Sequence, residues 1–128
     1  MASLILDNDN RDEVICWMQS DAWVVACLCA DWCDTCRQYR DCFDNLSVRH
    51  PDKRFVWIDI EDQADIVGDF DVDNFPTLLI QHRDHVAFFG TVLPDALLAD
   101  RLIQAQTRGD STGISRVEYN LLAKLQQA

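Results

Sequence analysis

Cys33 and Cys36, two residues apart, stand between a wholly apolar run and an amphipathic one, and that placement constrains the fold more than any other feature. Trp23 to Ala30 (WVVACLCA) has no charge and is bounded by acids. Such a run suits a strand buried on both faces. Beyond Asp31-Trp32-Cys33-Asp34-Thr35-Cys36, the residues Cys36, Tyr39, Phe43 and Leu46 recur at helical spacing, ending before His50-Pro51. The pair therefore falls at a strand-to-helix junction.

The flanking segments extend this pattern. Asp9 or Asn10 can cap a first helix carrying Val14, Trp17 and Met18. Phe55 to Ile60 reads as a strand, and Asp62 can cap a short helix with Ile66, Val67 and Phe70. Thr77 to Gln81 and Val86 to Phe89 read as a hairpin about Arg83-Asp84-His85, ended by Gly90. Pro94 can open a helix whose apolar positions are Leu97, Leu98 and Leu102. The first two strands form a βαβ unit and should be parallel, and the last two should be antiparallel. A mixed sheet with helices on both faces is the packing this order favours.

The domain is expected over 1–106, with 107–114 as a flexible connector and 115–128 as a C-terminal amphipathic helix. In that helix Ser115 and Glu118 would form a capping box, and Val117, Leu121, Leu122 and Leu125 one apolar stripe. Its docking site is open: its own domain, a second copy or a partner.

Composition narrows the partners. With 22 acids against 11 bases the net charge is -11, which disfavours nucleic acid and anionic membranes. Residues 1–10 lack a basic start and a long apolar stretch, so a cytoplasmic chain is expected. All six cysteines lie before residue 43. In a reducing compartment, clustered cysteines point to redox chemistry or metal rather than to a disulfide scaffold.

At a helix N-terminus, unpaired N–H groups favour negative charge on a sulfur, and the thiolate is the reactive form. One turn further in, a second sulfur can bond the first while shielded from outside disulfides. Cys33 is thus the expected attacking thiol and Cys36 the resolving thiol.

These residues resemble the thioredoxin family. The carriers are Ala30-Asp31-Trp32-Cys33-Asp34-Thr35-Cys36 and Phe75-Pro76-Thr77, with the hairpin and Gly90 following, over Trp23 to Ile103. The resemblance implies a three-layer α/β/α sandwich with a mixed central sheet, here with an extra C-terminal helix. It implies a thiol–disulfide oxidoreductase that reduces protein disulfides. It implies a cis Phe75-Pro76 bond facing the sulfurs, and a substrate surface of Trp32, Asp34, Thr35, Phe75, Pro76 and Thr77. The plainer reading of Pro76 is a strand-edge breaker. The family's usual electron donor is a flavoprotein reductase of the thioredoxin-reductase type. Disulfide-containing clients are the expected partners, the chain is expected to be a monomer, and neither cofactor nor metal is expected.

The chain departs from the family at three places. Asp34-Thr35 replaces the common Gly-Pro, and an acid so close to Cys33 should disfavour its thiolate, with Arg37 positioned to offset this. Cys27 stands where the family has a buried Asp, and Trp57 where it has the matching Lys. Cys27, Arg37 and Trp57 are therefore candidate modulators, and proton transfer to Cys36 would pass through water or Cys27. Cys27 and Cys29 share one strand face and read as small core residues. Minority readings make Cys27 a second redox partner, or join Cys27, Cys29, Cys33 and Cys36 in a metal site. Cys42 reads as packing or a regulatory disulfide, and Cys16 as core or partly exposed packing. His82 and His85 read as solvated turn residues. Asp69, Asp71 and Asp73 read as a solvated acidic rim. The rival functional reading is a binding or chaperone module with weak turnover.

Overall fold

A computed structural model describes residues 3–70, 72, 74–107, 115 and 117–127. Five strands form one sheet in the order β1-β3-β2-β4-β5, where β1 is Leu4–Ile5, β2 Trp23–Cys29, β3 Arg54–Asp59, β4 Thr77–His82 and β5 His85–Thr91. β2 runs parallel to β3 and antiparallel to β4, and β4 and β5 form the hairpin. The sheet is mixed, as the element order requires.

Alternation along the strands divides the interior in two. Val24, Ala26 and Leu28 of β2, with Val56 and Ile58 of β3, join Val14 and Met18 of α1 (Arg11–Gln19) in one core. Val25, Cys27 and Cys29, with Phe55 and Trp57, join Cys36, Tyr39, Phe43 and Leu46 of α2 (Asp34–Arg49) in the other. The helical spacing read from Cys36 to Leu46 is the buried stripe of α2.

The strand β1 is absent from the sequence reading. Two residues carry no periodicity of their own. They extend because Leu4 and Ile5 pair in parallel with Val56 and Trp57 of β3. The first helix is entered as expected from Asn10, although that side chain caps no helical N–H. Its amide instead donates to the Ile5 carbonyl, and its carbonyl oxygen accepts from the Asp7 N–H.

Other boundaries differ for identifiable reasons. The short helix α3 (Ala64–Val67) starts after Gln63, because the Asp59 carboxylate takes the Glu61 and Asp62 N–H groups and holds that turn outside the helix. Gly90 lies inside β5, opposite Leu78, rather than ending it. A side chain there would press against the Phe88 ring, 3.3 Å from a Cβ.

The helix α4 (Ala96–Gln106) is capped by Asp95, whose carboxylate accepts from Leu97 N and Leu98 N. Its buried positions are Ala99 and Ile103, whereas Leu97 and Leu98 are exposed. The orientation is held from α2. His50, itself buried, lies 2.7 Å from an Asp100 oxygen, so the face bearing Asp100 turns toward α2. His82 is likewise no free turn residue. It bonds Asp21 at 3.0 Å, and its ring lies 5.0 Å from that of Trp23.

The C-terminal segment packs on its own domain. A 3₁₀ turn, Val117–Tyr119, precedes α5 (Leu121–Gln127), and Leu121, Leu122 and Leu125 are buried beside α1 and α3. Val117 is exposed and outside that stripe. Ser115 Oγ accepts from the Val86 N–H of β5, and the α5 cap is Asn120, whose side-chain oxygen accepts from Ala123 N. Gln81, fully buried at the end of β4, donates to Asn120 Oδ1 and accepts from Leu121 N. Phe89 and Tyr119 stack at 3.8 Å with Phe70 edge-on to both. Residues 108–114 of the expected connector, and Asp71 and Asp73 of the acidic rim, lie outside the described residues. No helix among the described residues is long and apolar enough to cross a membrane.

Candidate active site

The site forms where β2 ends and α2 begins. Ala30 to Trp32 turn the chain between them, tightened by the Cys33 N–H donating to the Ala30 carbonyl at 3.1 Å. Cys33 is the N-cap residue of α2, with extended backbone (φ -89°, ψ 118°), and its carbonyl accepts the first helical bond, from Arg37 N. Its own side chain caps no N–H group, so its half-buried sulfur stays available beside the helix's unpaired donors. Cys36, one turn on, is 1 % exposed.

The closed disulfide joins Cys36 to Cys29, with the two Cα atoms 5.7 Å apart, and Cys33 is a free thiol. Cys29 is the last residue of β2 and faces the first turn of α2. This corrects its reading as simple core packing. Cys29 points to the same face as Cys27, with the two sulfurs 3.9 Å apart. The shared face follows from the period-two alternation of a strand. Cys42 is a partly buried thiol, its titration pushed up chiefly by burial and by the Asp95 charge. Cys16 is exposed on α1 and not in the core. Among the described residues, no group of three or more His, Cys, Asp or Glu side chains is placed to hold a metal ion.

Cys27 is fully buried in register with Trp57. Burial pushes its thiol far up, reinforced by Cys42, so it remains protonated at neutral pH. Trp57 packs edge-on to Phe43, with the Arg40 guanidinium 4.9 Å above its ring.

Phe75 packs against the same core as Cys33 and Cys36. The Phe75-Pro76 bond is cis and Pro76 is buried. Phe75 meets Trp32 edge-on at 5.7 Å. Trp32 is 64 % exposed although its indole N–H donates to Glu61, so it covers the surface beside Cys33 as a held ring. Thr35 is half-buried in the first turn of α2. Thr77, expected on the substrate surface, is buried, and its hydroxyl donates to the Asn74 carbonyl at 2.6 Å. It fixes the loop before Pro76 instead. Arg37 pairs with the Asp34 carboxylate and donates to the Asp31 carbonyl, so the charge beside Cys33 is compensated at the surface.

Below Trp32 opens a depression of about 650 Å³. Asp31, Asp59, Glu61 and Asp62 line it together with Arg40 and Trp57. Asp59 raises the Asp31 carboxyl above its ordinary value, by its charge and by a shared hydrogen bond. Sequence reading missed this acidic wall. Its signal was Asp59 closing a strand parallel to β2, with Glu61 and Asp62 just after it, which brings them to the same end of the sheet as Asp31.

The comparisons agree with this geometry. The family model for thioredoxin matches residues 3–101. A Streptomyces coelicolor protein, provisionally named thioredoxin 2, is 30% identical over 103 residues, covering 79% of this chain and 74% of its own. Thioredoxin domain-containing protein 2 of Rattus norvegicus is 31% identical over 98 residues, 76% of this chain and 18% of that longer protein. Among solved structures, a thioredoxin of Nicotiana alata superposes with a TM-score of 0.70 at 21% identity, over 83% of this chain and 95% of that one. The junction of β2 and α2, the cis Phe75-Pro76 bond and the matched span together place this chain in the thioredoxin family, and so among the thiol–disulfide oxidoreductases.

Proposed function

We propose that this chain reduces protein disulfides. The observation that carries the reading is the partly exposed Cys33 thiol at the N-cap of α2, with Cys36 buried one turn inward. In the reduced chain, the Cys33 thiolate attacks one sulfur of a client disulfide, and the other client sulfur leaves as a thiol. A mixed disulfide results. Cys36 then attacks the Cys33 sulfur, the second client thiol departs, and Cys33 and Cys36 are joined. The client gains two electrons and two protons, and the chain loses them. Trp32, Phe75 and Pro76 offer the apolar surface on which an extended client segment would lie, with Asp34 and Thr35 at its edge. The acidic wall beneath Trp32 favours clients with basic residues near the disulfide. A reductase of the thioredoxin-reductase type would restore the dithiol, in a monomeric, cytoplasmic chain.

One observation favours slow turnover and so supports the rival reading, a binding module. Cys27 and Trp57 stand where a carboxylate and an ammonium would assist the proton transfer of Cys36, and neither side chain carries a formal charge. Reduction of insulin by dithiothreitol, timed with and without the protein, separates the two. The oxidoreductase reading expects acceleration by the native chain and none by Cys33→Ser. No acceleration by the native chain would sink it and leave the binder.

A further inference from the structure

The bond that Cys36 makes in the structure goes to Cys29, outside the motif, and not to Cys33. Cys29 and Cys36 lie 5.7 Å apart between Cα atoms, inside the usual span for a disulfide. Both are buried, at 0 % and 1 %, so their bond removes two thiols from an apolar core at no cost in unpaired groups. Cys33 stays half-buried at the mouth of the helix. The three sulfurs belong to one short stretch, with the turn Ala30 to Trp32 held by the Cys33 N–H bond to Ala30.

We propose that Cys29 is a third redox cysteine, which takes the disulfide inward after turnover and returns Cys33 to the thiol state. The step is an exchange without net redox. Cys29 attacks the Cys36 sulfur of a Cys33–Cys36 bond. The Cys29–Cys36 bond forms, the Cys33–Cys36 bond breaks, and the Cys33 sulfur leaves with the electron pair. The proton lost by Cys29 is balanced by the one Cys33 gains. This inference rests on the reductase reading, because it is client reduction that supplies the Cys33–Cys36 bond.

The consequence is chemical. An oxidised chain of this kind keeps an accessible nucleophile. Cys33 can then attack a further disulfide, releasing one thiol, and hold the remainder as a mixed disulfide. Cys36 is engaged and does not resolve it. The oxidised protein would therefore capture disulfide-bearing partners, and the reduced protein would release them.

The sequence permits a direct map. Cleavage before Asp21, Asp31, Asp34 and Asp41 puts Cys29, Cys33 and Cys36 on separate peptides, 21–30, 31–33 and 34–40. The full chain is reduced, oxidised with diamide, blocked with N-ethylmaleimide at mildly acidic pH, cleaved without reductant and weighed. The inference expects 21–30 joined to 34–40, with 31–33 carrying the maleimide. Cys27→Ala should keep that link and Cys29→Ala should lose the maleimide on Cys33. A link only between 31–33 and 34–40 in the native chain overturns the inference and leaves the reductase reading standing. Full blocking of all three peptides overturns both. Loss of the 21–30 link in Cys27→Ala would assign it to Cys27 and also overturn the proposal. The native-chain map needs no variant to fold.

Discussion

The two cores on either side of the sheet are built from the same strands, but the buried cysteines lie on one side alone among the described residues. The side covered by α1, α3 and α5 contains Leu, Val, Ile, Met and Phe and no buried cysteine among the described residues. The side covered by α2 and α4 contains Cys27, Cys29 and Cys36, with Cys33 and Cys42 at its edge. Alternation along β2 does the sorting, sending Val24, Ala26 and Leu28 one way and Val25, Cys27 and Cys29 the other. The lesson is a division of labour. Hydrocarbon packing secures the fold on one face, which frees the opposite face to change its covalent bonding.

If that division holds, changes on the two faces should separate cleanly. The largest effect is expected from Cys36→Ala. Turnover should fall to background while a client stays bonded to Cys33, seen as a mass increase that dithiothreitol reverses. On the other face, Leu121→Ala opens a cavity in a wholly buried site. It should cost roughly 2–5 kcal/mol in chemical denaturation without changing Cys33 alkylation in the folded protein.

Smaller effects test what ties α5 and α4 down. Gln81→Leu removes the buried amide that meets Asn120 Oδ1 and Leu121 N, leaving Leu121 N without that acceptor and Asn120 Oδ1 with its bond from Ala123 N. A loss of about 1–3 kcal/mol is expected. Asp95→Ala deletes the α4 cap and should cost about 1 kcal/mol. The smallest effect is on pH dependence. Hydrogen bonding to Arg11 lowers the Asp65 carboxyl below its ordinary value of 3.8, and Lys124 does the same for Asp69. A depressed carboxyl stabilises the fold above its unfolded value, and the benefit is lost as pH falls through the depressed one. Arg11→Gln should flatten that acid limb in denaturation curves measured at successive pH values.

Legibility in the sequence followed the same divide between local and distant causes. The apolar run of β2, the stripe of α2 and the antiparallel hairpin are written in residue periodicity, and each folds as read. The paired motifs pointed to the family and to the cis Phe75-Pro76 bond. What escaped depends on neighbours distant in sequence or hidden by a turn. β1 exists only through β3. The exposed face of α4 is set by His50 meeting Asp100, and Ser115 is drawn from its helix by Val86 N. The Cys29–Cys36 bond escaped because spacing alone favours the two cysteines on one helix over a strand end facing it.

The account rests on Cys36 exchanging electrons reversibly as part of a dithiol. Equilibrating the full chain with reduced and oxidised dithiothreitol at stepped ratios, then counting blocked thiols by mass, tests that directly. A reversible loss of two thiols per chain that involves Cys36 and follows a two-electron curve is the expected result. Cys33 and Cys36 both remaining blocked across the whole range would contradict it.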